Sequence, residues 1–391
     1  MKNILLYYSF SFSFGGGEHL PLAFIAALQK NCNLTVALDM KANLEQASKL
    51  FEIGIDLSSL KVIQVTPPDY NPKKHSIQDS LFRFRALKRL AIDADICISA
   101  ANIMDFGKPA HHFINMLAFG DDSFTTYAHN RVDQASPETS GSIKRFLSDH
   151  LLRPILGMRS KKSIICNPQE HIYPNSFFVE RLMMEYYGSF QSTVFYPPTL
   201  FEAECSSAAA QRDPLKVIYI GRIVPEKRIT EIIEIVEKTR ERTGLDIQFH
   251  IAGRIDQVPS YGEQLRRMEA DRTWLKLVGA VYGKEKENFL LSGSYALHAE
   301  RFEAFGISVV EYLKSGNIVI VPDEGGAKEV VNSPELTYHL NEDAITILTR
   351  LLTDVSFRTK QHRHCAERSR FFSRETYLER QQKLLEEITK S

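Results

Sequence analysis

In the stretch His298-Ala-Glu-Arg-Phe-Glu303-Ala-Phe-Gly306-Ile-Ser-Val-Val-Glu311-Tyr-Leu-Lys-Ser-Gly316, two carboxylates, Glu303 and Glu311, stand eight residues apart with Phe305-Gly306 between them. Residues 293–298 before it read as a short buried strand. After Gly306, apolar residues at Ile307, Val309, Val310 and Leu313 recur with a helical period that stops at Gly316. The unit is therefore strand, loop, helix, with Glu303 in the loop and Glu311 in the helix. Eight helical steps would span about 12 Å at 1.5 Å per residue. The first-turn amides, Phe305 to Ser308, point at whatever sits between the carboxylates, and free amides at a helix start favour an anion such as a diphosphate.

Working outward, the chain has 391 residues, which predicts two domains rather than one core. Hydrophobic residues make up 43% and charged residues 25%, a globular composition. Lys plus Arg and Asp plus Glu balance at 48 each, so no global field recruits nucleic acid. The five cysteines (Cys32, Cys97, Cys166, Cys205, Cys365) are scattered and never form CxxC, which speaks for a reducing compartment and against a zinc site or disulfide framework. The apolar run at the N-terminus carries serines and enters Gly15-Gly16-Gly17, so it reads as a first strand rather than a signal peptide. No apolar stretch approaches the roughly 18 residues of a transmembrane helix. A cytoplasmic protein is expected, with peripheral membrane contact as a further option.

Strand and helix patterns alternate from the start: strand 4–9, the glycine triplet, helix 18–30, strand 34–38, helix 44–51, strand 62–65, helix 81–90, then strands 96–99 and 124–128. This is the pattern of a doubly wound parallel sheet. Gly16 and Gly17 fall at the carboxyl end of the first strand, where such sheets bind ligands and where a missing side chain lets backbone approach a phosphate. His129 follows the strand 124–128 and is expected to point into the crevice. Residues 143–162 hold six basic residues against one acid, with Ile143, Leu147, Leu151 and Ile155 as an apolar stripe and Pro154 to kink or end the helix. That pattern reads either as a helix lying on an anionic membrane or as a domain helix with a solvated basic face. Strand 163–166, a helix from 174 to 187 and strand 194–196 lead to Tyr196-Pro-Pro198, and 202–214 is a small, polar linker.

A second set begins with strand 216–220, followed by Gly221-Arg222-Ile-Val-Pro-Glu226-Lys227 and a helix 229–242. Arg222 as a fork and Lys227 as a point charge suit a diphosphate. Strands ending at Gly253 and Gly279 come next, the latter with Val281 in its turn, and the turn Gly325-Gly326-Ala-Lys-Glu329 follows the strand 318–321. Asp93-Ala-Asp95 has the letters of a metal motif but leads into a strand and reads as structural.

The Glu-x7-Glu spacing with Phe-Gly inside it, preceded in order by Gly-Arg-x3-Glu-Lys, resembles the retaining glycosyltransferases of the GT-B fold, glycosyltransferase family 4. The resemblance covers nearly the whole chain and is strongest from Val217 to Val330. It implies an α/β protein with two Rossmann-like doubly wound domains facing a central cleft. The expected division is an acceptor-side domain 1–200, a linker 201–214, a nucleotide-sugar-binding domain 215–371, and a final helix 372–391 crossing back to the first domain. The resemblance assigns catalytic roles to Glu303, His129, Arg222 and Lys227. It assigns donor contacts to Gly16, Gly17, Arg222, Lys227, Gly253, Val281, Glu303, Phe305, Gly306, Ile307 and Glu311. Glu311 would hold the ribose, Glu303 the donor sugar, and the turn around Val281 the base. No metal or other cofactor is implied, because Arg222 and Lys227 would take the leaving diphosphate's charge. The expected activity is transfer of a hexose from GDP-mannose or a UDP-sugar to a glycan or lipid-linked glycan. A sugar-nucleotide epimerase on the same fold and a non-catalytic subunit of a glycosylation complex remain the rival readings.

Overall fold

The computed structural model describes residues 1–9, 18–40, 43–50, 53–71, 76–115, 122–132, 155–199, 201–202 and 212–390. The chain divides into two compact units, Met1–Pro198 with Tyr377–Ser391, and Thr199–Thr376.

In the first unit, β1 (Asn3–Tyr8), β2 (Asn33–Leu38), β3 (Lys61–Gln64), β4 (Ile96–Ser99), β5 (His111–Ile114) and β6 (His171–Pro174) form a sheet in the order β3-β2-β1-β4-β5-β6. Every pairing is parallel; Leu5, for instance, lies opposite Thr35 on one side and Cys97 on the other. Ile4, Leu5 and Leu6 are all buried, so β1 is covered on both faces, as a central parallel strand must be. Leu5, Tyr7, Ala37 and Val65 pack with Leu87 and Ala91 of the helix Ile77–Ile92 to make one core layer. That helix starts where Ser76 and Asp79 cap each other's backbone amides. From Tyr377 onward the helix Arg374–Lys390 groups with this unit; the Tyr377 ring lies 5.8 Å from Phe195, and Leu384, Leu385 and Ile388 are buried.

Buried charge in this unit is tied into closed networks. Asp39 accepts from Tyr7 Oη at 2.9 Å, from Ser9 Oγ at 2.9 Å and from Arg83 Nε at 2.7 Å. Glu170 accepts from the Ala110 amide at 2.7 Å, His112 Nε2 at 2.9 Å and Arg159 Nη1 at 2.6 Å, while Arg159 Nε reaches Asp105 at 2.9 Å. Burial holds His112 low and so neutral; for Glu170, burial pushes the pKa up, but His112 and Arg159 outweigh it and keep the carboxylate charged. The ion pair is thus with Arg159, and His112 adds a neutral hydrogen bond.

Two expected strands are helices. Residues 124–128 lie in the helix Asp122–Val132, because Phe124 and Ala128, one turn apart, are both buried; Phe124 stacks 5.3 Å from Tyr187 of the helix Phe177–Tyr187. Their β-branched and aromatic neighbours favour a strand, and packing overrides that preference. Residues 163–165 fall in the short helix Lys161–Ile165, with Cys166 as its C-cap, and the helix is started by Ser160 accepting from the Ser163 amide. A four-residue apolar run does not separate strand from buried helix. The sheet is completed instead by β5 and β6, whose histidines and proline hid them. No named strand covers 194–196; the nearest pairing is a single bridge between Ile172 and Ser192. Gly16, Gly17 and most of 143–162 and 202–214 lie outside the described residues.

In the second unit, β7 (Lys216–Ile220), β8 (Gln248–Ala252), β9 (Leu275–Gly279), β10 (Tyr295–Leu297), β11 (Ile318–Pro322) and β12 (Thr337–Tyr338) are ordered β12-β11-β10-β7-β8-β9, again all parallel. Numbered within its own unit, this is the strand order of the first sheet. The carboxyl ends of its strands carry the loops described next. No helix is long and apolar enough to cross a membrane among the described residues.

Candidate functional site

The ends of β7, β8 and β9 are laced together. The Gly221 amide donates to Ala252 O at 3.1 Å, and the Gly253 amide to Gly279 O at 2.8 Å. A Cβ on Gly253 would stand 2.1 Å from Gly221 O, so only glycine permits this approach. Beyond Gly221 the chain exposes Arg222, which makes no ion pair among the described residues, and turns through the 3-10 segment Pro225–Lys227. Arg228 then takes the left-handed conformation at φ 52° and opens the helix Ile229–Thr243. Tyr261 Oη accepts from the Ile229 and Thr230 amides at 3.0 and 3.3 Å, so this helix start is capped internally.

The helix Ile307–Lys314 is different. Gly306 precedes it at φ 99°, and among the described residues no side chain caps its first amides. Tyr312 Oη accepts from the Ile220 amide at 2.6 Å and donates to Ile220 O at 3.2 Å, which fastens the helix to the end of β7. Glu311 is buried, and its Oε1 lies 2.6 Å from Lys286 Nζ. Lys286 belongs to the helix Gly283–Ser292, which follows the turn containing the half-buried Val281. The Gly325-Gly326 turn braces the loop that carries Glu303. The Gly326 amide donates to Glu303 O at 2.7 Å, and a Cβ on Gly326 would stand 2.3 Å from Ala304 O.

Four titratable side chains meet between the ends of β7 and β10. Lys227 Nζ is 2.5 Å from Glu303 Oε2 and is also ion-paired with Glu300. His298 Nε2 lies 3.7 Å from the same Glu303 oxygen. His298 is 1% exposed, and neither ring nitrogen has a hydrogen-bond partner among the described residues. Burial, then Lys227, pushes its pKa down to about 4, so the ring is neutral near pH 7. Burial lowers the Lys227 pKa, but the two carboxylates more than offset it and hold the ammonium charged. Burial pushes both carboxyls up; Lys227 and His298 reverse this for Glu303, whereas Glu303 adds to it for Glu300. One ammonium facing two carboxylates makes this split expected, since the second proton leaves against a negative neighbour. His298, Glu300 and Glu303 have ligand atoms within 4.8 Å of one another, a spacing that also suits a cation, but here the Lys227 ammonium contacts both carboxylates.

Of the expected site residues, Arg222, Lys227, Gly253, Val281, Glu303, Phe305, Gly306 and Ile307 lie in loops or at a helix start beyond the carboxyl ends of this one sheet, and Glu311 lies within the helix Ile307–Lys314. Direct contact joins Lys227 to Glu303. Phe305 is buried, its ring 5.9 Å from Phe372, so its side chain is core. His129 lies in the first unit, near the end of the helix Asp122–Val132 and not beyond a strand, which corrects the sequence expectation. Sequence reading missed His298 and Glu300, which sit within the quoted stretch, and Lys286. Glu300 and Glu303 are three apart, and that was the available signal; nothing in the sequence pairs Lys286 with Glu311.

Residues 202–370 match the family model described as "Glycosyl transferases group 1". An uncharacterised glycosyltransferase of Methanocaldococcus jannaschii is 28% identical over 156 residues, 39% of this chain and 39% of that one. The matched stretch therefore spans about two fifths of that relative. Among solved structures, a sucrose-phosphate synthase from Thermosynechococcus elongatus superposes with a TM-score of 0.69 at 14% identity, covering 100% of this chain and 99% of that one. HepE from Anabaena, solved with UDP and glucose, gives 0.66 at 13%, covering 99% and 100%. WaaG, a glycosyltransferase involved in lipopolysaccharide biosynthesis, gives 0.63 at 12%, covering 94% and 95%. The fold is GT-B.

Proposed function

From a chain whose second unit belongs to the group 1 glycosyl transferases, we propose a retaining, metal-independent hexosyltransferase that uses a nucleoside diphosphate sugar. The observation that carries this reading is the joining of Lys227 to Glu303, with exposed Arg222 and an uncapped helix start at the ends of the same sheet. A cationic pair, helix-start amides and a half-buried carboxylate are what a departing diphosphate and a developing positive anomeric carbon need.

In this reading Arg222 and Lys227 take the diphosphate's charge. The amides that follow Gly306 add donors at the helix start, and Glu303, held ionised, faces the reacting carbon. Glu311 accepts from the ribose hydroxyls, with Lys286 fixing one of its oxygens. Gly253 and Val281 border the donor, and Gly16, Gly17 and His129 are proposed contacts from the first unit, the acceptor-side domain. GDP-mannose and UDP-sugars are the candidate donors, and a glycan or lipid-linked glycan is the acceptor class. HepE with UDP and glucose, and WaaG in lipopolysaccharide biosynthesis, support donor and acceptor classes respectively by analogy. Residues 143–162 are proposed to touch an anionic membrane; binding to anionic vesicles that falls with added salt supports this, and no binding refutes it.

A panel of UDP- and GDP-sugars, read by thermal shift and by sugar transfer, tests the function. One sugar nucleotide should raise the melting temperature, and Arg222→Ala and Lys227→Ala should each abolish most of that rise. Conversion of the sugar nucleotide alone to an epimer, or stabilisation that survives both substitutions, overturns the reading.

A further inference from the structure

Lys227 is assigned to the donor's diphosphate, yet in this structure its ammonium is already spent on two carboxylates. A donor diphosphate therefore competes with Glu300 and Glu303 for that ammonium. Glu303 is required at the reacting sugar in the proposed function, on which this inference rests. Glu300 has no role there. Its side chain is 13% exposed, on the loop between β10 and the helix Ile307–Lys314, where it is ion-paired with Lys227 and has a carboxylate oxygen within 4.8 Å of one on Glu303.

We infer that Glu300 is a positioning residue that gates Lys227: as the neutral acid it donates to Glu303 and leaves the ammonium to the diphosphate, and as a carboxylate it holds the ammonium back. The surroundings support the neutral form. The groups facing Glu300 are Glu303 and His298 from its own loop, Lys227 from the turn after β7, and Tyr219 from β7. His298 is neutral, and burial, then Glu300 and Glu303, keeps the Tyr219 phenol protonated. Tyr312, from the helix Ile307–Lys314, faces Lys227 and is likewise held protonated by burial. Lys227 is thus the one cation opposing two carboxylates among these groups. Once the diphosphate claims that cation, the two carboxylates face each other with no counter-charge, and a shared proton resolves the repulsion. Burial and Glu303 already push Glu300 up to about 7 with Lys227 in place, so losing Lys227 raises it further.

The sign follows. The donor-bound form holds more protons than the free form near and above neutral pH, so affinity falls as pH rises. The probes are UDP-glucose and GDP-mannose, whose diphosphates are esterified at both ends and do not titrate near neutrality. In titration calorimetry the better-bound probe should lose on the order of tenfold in affinity between about pH 6 and about pH 8.5, given one linked proton. Repeating the wild-type titration at about pH 8 in buffers of different ionisation enthalpy should show net proton uptake, a measurement that needs no variant. Glu300→Gln, which keeps shape and hydrogen bonding but cannot ionise, should bind independently of pH and more tightly than wild type at the alkaline end. A merely structural role would weaken the variant at every pH and leave the slope in place. A wild-type slope retained by Glu300→Gln, or no proton uptake, overturns the gating role and leaves the donor reading intact. Failure of UDP- and GDP-sugars to bind wild type at any pH overturns both.

Discussion

The two sheets share one strand order, yet the two units use buried charge in opposite ways. In the first, Asp39 and Glu170 are each saturated by three donors from neighbouring strands, helices and loops. Those networks tie strands, helices and loops of the unit together. In the second, Lys227 is outnumbered by Glu300 and Glu303, and His298 is buried beside them without a hydrogen-bond partner among the described residues. That arrangement is poorly satisfied by itself. Topology therefore sets where charge can collect, and the satisfaction of each charged group separates support from chemistry.

The comparison predicts that charge removal in the first unit damages the fold, and in the second damages activity. The largest effect should be Glu170→Ala. It leaves the buried His112 Nε2 and Ala110 amide without their acceptor and Arg159 with Asp105 alone as counter-charge, and should cost about 3–5 kcal/mol, with a fall in melting temperature of about 10 °C. Surviving protein should still bind sugar nucleotide; a normal melting temperature would remove Glu170 from the supporting class. Next, Glu303→Gln should lower kcat on the order of 100-fold, about 2.7 kcal/mol, because its attraction to the anomeric centre strengthens in the transition state. Single-turnover kinetics that show only weaker donor binding would displace Glu303 from the reacting carbon.

Smaller again, Glu311→Gln should raise the donor KM on the order of tenfold with kcat little changed, the mark of binding lost equally in ground and transition states. A kcat defect instead would move Glu311 into the chemistry. The smallest effect concerns acid stability. His111 stacks 4.8 Å from His171, and burial, then His171 and His112, pushes its pKa down to about 3. The unfolded chain binds this proton near the ordinary histidine value of about 6.5. His111 therefore lends stability that is full above that value and is lost as pH falls toward 3. His111→Phe keeps the stacking and should lower the acid-unfolding midpoint by a few tenths of a pH unit, read by circular dichroism. An unmoved midpoint would place the acid-sensitive groups elsewhere.

Much of the second unit was legible. Its central strands β7, β10 and β11 are mostly apolar runs, its helices have clear periods, and its motif glycines meet backbone constraints that the structure displays at Gly253, Gly306 and Gly326. The first unit was less legible between β4 and the helix Phe177–Tyr187. There the sheet strands contain His111, His112, His171 and Pro174, and a helix carries Phe-Thr-Thr-Tyr, so local preference and final structure point opposite ways. Those histidines sit in strands because partners from distant segments satisfy them: Glu170 for His112, and Tyr173 for His111.

The sequence by itself determined the alternation of strands and helices in the second unit, the chemistry of the Gly-Arg and Glu-x7-Glu motifs, and the order in which they occur. Those are local properties, set by residue type and spacing. Only the tertiary structure decided that Glu300 joins Lys227 and Glu303, that Lys286 holds Glu311, and that Tyr261 closes one helix start while the other stays uncapped. Each of those contacts depends on where separate segments converge at the carboxyl ends of the strands, and hydrogen bonds and charge act through that distance rather than along the chain.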